Sequence, residues 1–82
     1  MGDEPALIAE LRLAFADSAG RSLAAMEAAG DVENWRAAAW RLKGLAASFG
    51  AVRLMTLAAG ATEAVPGDAV TLRKLRRLVE QL

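Results

Sequence analysis

Apolar residues recur along this chain at three- and four-residue intervals, the spacing of one helix face rather than the alternation of a strand. Four helical segments follow. The first is predicted from about Pro5 to Ala29, with Asp3 or Glu4 as cap and Pro5 suited to its first turn. Ile8, Leu11, Phe15, Ala19, Ser22 and Met26 form its inward stripe; Gly20 lies inside it and either is tolerated or splits it in two. Gly30 ends it. The second starts at the N-cap Asp31, with Glu33 near the positive helix end. Val32, Trp35, Ala39, Leu42, Ala46 and Phe49 share one face, and Gly50 is a left-handed stop. A third helix is predicted from about Val52 to Ala64, with Ala51, Leu54, Ala58, Ala61 and Val65 facing inward. Pro66-Gly67-Asp68 then makes a turn and a cap. The fourth runs from about Ala69 to Leu82, with Leu72, Leu75, Leu78, Val79 and Leu82 inward and Arg73, Arg76 and Arg77 outward. Short connections favour antiparallel neighbours, so the expected fold is all-α, an up-down-up-down four-helix bundle forming one domain over residues 1–82.

Composition agrees with that fold. Much of the 55% hydrophobic fraction is alanine, the best helix former, and tyrosine and cysteine are absent. Lack of cysteine removes disulfides and thiolate metal sites and suggests a reducing, cytoplasmic setting. The acidic opening Met1–Pro5 lacks the basic-then-apolar order of a secretory leader, and no apolar run approaches a membrane span. Net charge is zero but unevenly placed: residues 1–34 hold seven acids and two bases, residues 35–82 eight bases and three acids. Attraction between the two halves within one bundle is the preferred reading of this asymmetry; a basic face on helix 4 for nucleic acid or anionic lipid is the lesser one.

One large residue does not fit the second helix's stripe. At about 100° per residue, Trp40 falls roughly 140° from Trp35 and so points outward. Arg36 and Lys43 flank it, and Ala37, Gly44 and Ala47 around it are small. A mid-helix glycine is unfavourable by about 1 kcal/mol, and at Gly44 it leaves room for a partner's close approach. An exposed tryptophan on a flat surface with cations beside it reads as a contact surface. Cover from another part of the chain is the alternative for Trp40, and solvation the alternative for the charges. Leu13, about 160° from Phe15 on helix 1, is a second outward apolar candidate.

The run Ala39-Trp40-Arg41-Leu42-Lys43-Gly44, with Gly50-Ala51 after it, resembles the signature of histidine-containing phosphotransfer (HPt) domains: Ala-His-x-Leu-Lys-Gly, five residues, Gly-Ala. Weaker likeness extends to Ala29-Gly30-Asp31 and Trp35-Arg36 upstream and to Leu54, Ala58 and Glu63 downstream. The resemblance implies a four-helix bundle that docks a receiver domain or a histidine kinase, with Lys43 near the phosphoryl position, Gly44 leaving room for docking and an adjoining helix, hence Leu13, contributing. The departure is at the reactive position, where Trp40 replaces the family's histidine; the chain has no histidine at all. The indole nitrogen only donates, so no lone pair is available to take a phosphoryl group.

The expectation is therefore a non-enzymatic pseudo-HPt of a bacterial two-component system, with no cofactor and no metal. It binds a response-regulator receiver domain or a histidine kinase through Trp40, Lys43, Gly44, Arg36, Ala37, Ala47 and Leu13, without nucleic acid or membrane, as a monomer or possible homodimer. Two other readings are a self-associating structural module with Trp40 and Leu13 in a homodimer interface, and an HPt protein whose histidine was replaced.

Overall fold

Local chemistry sets the helix ends. In the computed structural model, which describes residues 4–82 and side chains from residue 5 onward, the helices are α1 (Glu4–Ala28), α2 (Val32–Ser48), α3 (Val52–Ala61) and α4 (Ala69–Glu80). The predicted cap on Asp3 or Glu4 lies outside the described side chains. Asp31 caps α2: its carboxylate accepts from the Asn34 backbone N–H at 2.8 Å and from the Asn34 side-chain amide at 3.0 Å, satisfying donors that a helix start leaves open. Gly50 ends that helix with φ of 70°, a conformation open to glycine at little cost. Asp68 caps α4 through the Thr71 N–H and hydroxyl, at 2.9 and 2.6 Å. These bonds to Thr71, first the hydroxyl and then the N–H, hold the Asp68 carboxyl below its usual range.

Two expectations about continuity are corrected or decided here. α1 runs unbroken through Gly20, because Ala19, Ser22 and Leu23 around it are all buried and hold the helix together from outside. α3 stops at Ala61, not Ala64. From there the N–H groups of Glu63 and Ala64 bond three residues back, to Gly60 and Ala61, and the Thr62 hydroxyl donates to the Ala59 carbonyl at 2.7 Å. Pro66 then disfavours helix at Val65.

The helices form an all-α four-helix bundle. α1 packs on α2, α2 on α3, α3 on α4 and α4 back on α1, and among the described residues no helix packs across the diagonal. One core runs through it: Phe15, Ala19, Leu23 and Met26 from α1; Trp35, Ala38, Ala39, Leu42 and Ala46 from α2; Leu54, Ala58 and Ala61 from α3; Leu75 from α4. Leu23 and Ala38 join it beyond the predicted stripes. Ser22 is buried with it. Small side chains at seven of α1–α3's buried positions, six alanines and a serine, let the helices lie close.

Several predicted inward residues are exposed instead: Ile8, Leu11, Val32, Phe49 and Val65. Phe49 caps the C-terminus of α2, and its ring stacks on Phe15 with centroids 4.4 Å apart. α1 is antiparallel to α2, so its residues before Phe15 extend past the end of α2. Ile8 and Leu11 remain on the inward stripe but only line an open depression with Phe49, Ala51, Gln81 and Leu82. Val65 lies past the end of α3, in the connection to α4. Leu72, Leu78, Val79 and Leu82 are half-buried against the core, and Leu75 is fully so. Between the acidic and basic halves, one ion pair forms among the described side chains, Arg76 with Glu27. It is partly exposed and so contributes about 0–1 kcal/mol.

Candidate functional site

The surface around Trp40 is set by what happens on the opposite face of α2. Trp35 is 0% exposed, and its indole N–H donates to the Ala61 carbonyl at 2.7 Å. That carbonyl lies at the C-terminal end of α3, past the regular helix ladder, and accepts from the Ala64 N–H as well. One residue on, Arg36 Nε donates to the Thr62 carbonyl at 3.3 Å. Two consecutive side chains of α2 are thus fastened to two consecutive carbonyls of the α3 end, and the rotation of α2 about its own axis is fixed.

With Trp35 inward, Trp40 turns outward and is 61% exposed. The Lys43 ammonium sits over it, 4.0 Å from the ring centroid, a cation–π contact worth about 0.5–1 kcal/mol at an exposed site. This holds the indole in a defined orientation and covers one of its faces. Arg36 and Lys43 lie on one side of Trp40; Ala37 and Gly44 lie on the other, with Ala47 in line two turns on. Ala37, Gly44 and Ala47 are all exposed. A Cβ added at Gly44 would meet no atom outside its own helix backbone within 4 Å, so nothing in the fold requires glycine there. The nearby Ser48 hydroxyl donates to the Gly44 carbonyl at 3.0 Å.

The structure therefore brings Arg36, Ala37, Trp40, Lys43, Gly44 and Ala47 onto one face. A shallow depression adjoins the ring, lined by Arg36, Ala37, Trp40, Thr62 and Glu63. Thr62 and Glu63 extend the surface beyond the residues that the sequence pattern singled out. Their place follows from the antiparallel α2–α3 pairing, which puts the start of α2 beside the end of α3. Leu13 does not join this face. It is 71% exposed, but it borders a different depression with Ile8, Arg12, Ala16 and Leu82. The Phe15–Phe49 contact marks the level of Leu13 on the bundle, and Trp40 stands nine residues before Phe49, about 14 Å along the helix.

The face is mainly basic, with Arg36 and Lys43 beside Trp40 and the acid Glu63 at its edge. From Asn34 to Thr62 the chain carries Arg36, Arg41, Lys43 and Arg53 and no acid; Glu63 is the first. Among the described residues no group of His, Cys, Asp or Glu could hold a metal ion, and no helix is long and apolar enough to cross a membrane. No protein family, no curated protein and no solved structure matches this chain.

Proposed function

We propose that the chain is a pseudo-HPt: an adaptor that docks a receiver domain or histidine kinase of a two-component system through the Trp40 face and passes no phosphoryl group itself. The observation that carries this reading is the exposed Trp40 ring held beneath Lys43, at the position where the resembling signature has its histidine. Tryptophan and arginine dominate the energetics of many interfaces, and a tryptophan oriented before binding loses less freedom on docking. The small residues Ala37, Gly44 and Ala47 leave the ring standing above its surroundings, and the depression toward Glu63 offers a partner side chain a seat beside it. The role is one of binding and not of catalysis, because the indole offers no nucleophile.

Binding of the purified chain to receiver domains and histidine kinases, measured by calorimetry, tests the reading. Binding to at least one, weakened about tenfold or more by Trp40→Ala, is the expected result. Unchanged affinity in that variant refutes docking through this face. Trp40→His tests the family resemblance separately: a scaffold of this kind should then accept phosphate from a phosphorylated receiver.

A further inference from the structure

The inward stripe of α1 runs past the bundle into an open depression of about 430 Å³, a volume within the range of small-molecule sites. Ile8 and Leu11 from α1, Phe49 from the end of α2 and Leu82 from beyond α4 line it, and the buried Phe15, stacked on Phe49, forms its floor. Ile8, Leu11 and Phe49 are 57%, 50% and 47% exposed, so a continuous apolar surface lies open to water there.

One charge stands in this lining. Arg12 falls about 40° from Ile8 around α1, on the inward side, where a charged residue is unusual. It has no ion pair among the described side chains, whereas Arg21 pairs with Asp17 at 2.7 Å and Arg76 with Glu27. Its neighbours three and four residues away, Ile8, Ala9, Phe15 and Ala16, are uncharged, and Glu10 points about 160° away from it. No acid lines the depression, and Gln81 adds an amide donor on the α4 side. Backbone donors at its edge are already used: the N–H groups of Phe49, Ala51, Gln81 and Leu82 all bond to carbonyls of their own helix ends. A peptide laid here would find none of these N–H groups free to pair with, whereas an alkyl chain needs none.

We propose that this depression binds a free medium-chain fatty acid, its alkyl chain against Ile8, Leu11, Phe49 and Leu82 and its carboxylate on Arg12. The planar guanidinium matches a carboxylate and has no competing acid beside it. The alkyl chain covers apolar surface that the bundle leaves open. Arg12 is itself exposed, so the head group stays in reach of water and no charge is buried to form the pair. Trp40 stands about 14 Å along α2 from Phe49, so this binding does not depend on what docks at the Trp40 face.

Amide chemical shifts of the full chain, followed by NMR during titration with octanoate below its micelle-forming concentration, test the proposal. Shifts are expected at Ile8, Leu11, Phe49 and Gln81. Affinity should rise from hexanoate to octanoate to decanoate, by up to about fourfold for each methylene buried. Octanol should bind more weakly than octanoate, and octylammonium more weakly still. Arg12→Gln should weaken octanoate by about fivefold, as expected for an exposed ion pair, and leave octanol unchanged. Leu11→Asp should weaken octanoate and octanol alike, whereas Leu13→Asp, which borders the neighbouring depression, should alter neither. Arg12, Leu11 and Leu13 are all exposed, and circular dichroism should show the helical content of each variant unchanged. Trp40→Ala should leave octanoate binding untouched. Absence of shifts at these residues overturns the proposal. So does octanoate binding that Arg12→Gln leaves intact or Leu13→Asp abolishes, or binding seen only with phosphatidylglycerol vesicles, which would make the surface a membrane contact.

Discussion

Trp35 and Trp40 lie five residues apart on one helix and are treated oppositely by the bundle. Trp35 is wholly enclosed, its N–H committed to a carbonyl at the end of α3; Trp40 is mostly in solvent, with a lysine laid across its ring. The first is an architectural residue, because its bond and packing decide how α2 is turned. The second is what that turn presents. The same side chain is thus enclosed in the core at one position and presented to solvent at the other, where the proposed role is recognition.

Substitution can break this contrast in order of decreasing effect. Trp35→Ala removes a large buried side chain and one of the two hydrogen bonds to the Ala61 carbonyl, which keeps the Ala64 N–H; a loss of about 3–5 kcal/mol is expected, close to the whole stability of so small a domain. Thermal or urea unfolding should show the variant mostly unfolded at room temperature. Trp40→Ala should change folding stability by less than about 1 kcal/mol in the same measurement, since only its contact with Lys43 and partial burial are lost. A large loss there would mean that the exposed ring is structural after all. Gly44→Ala should raise stability by up to about 1 kcal/mol, because the added methyl meets nothing and the helix gains propensity. If a partner approaches Gly44 closely, the same variant binds less well although it folds better, which separates the two faces of α2 in a single substitution.

The smallest effect is one of pH. The folded-state pKa of Asp68 is depressed by its bonds to Thr71, so its contribution is fully present above the ordinary carboxylate pKa of about 4. It is lost as pH falls through the lower folded value. Wild type should therefore exceed Asp68→Asn in unfolding midpoint near neutrality, and the gap should narrow below about pH 4. A constant gap down to low pH would show that the cap does not depend on charge.

Much of the bundle was legible because capping chemistry and helix periodicity are local. Asp31, Gly50 and Asp68 mark boundaries through atoms within three residues of themselves, and the 140° separation of Trp35 from Trp40 needs only the helix repeat. What local pattern cannot carry is the extent of the neighbour. Ile8 and Leu11 fall on the inward stripe, but whether anything lies inward depends on where α2 ends, which Phe49 settles from thirty-four residues away from Phe15. The early end of α3 has a similar cause: apolar spacing continues to Val65, while the backbone has already tightened at Thr62 ahead of Pro66. At the Trp40 face the helix-2 residues could be grouped from one helix alone. Thr62 and Glu63 could not, since they arrive from a different helix end, and Leu13 was grouped with the others although it stands at another level of the bundle.

The enclosure of one indole and the exposure of the other also give the protein two optical reporters of its own. With no tyrosine in the chain, its near-ultraviolet emission comes from these two rings alone among strong fluorophores. Trp35 should emit at short wavelength, resist acrylamide and shift to the red only when the bundle opens. Trp40 should be quenched freely until something covers it, so one cuvette can follow folding and docking as separate signals.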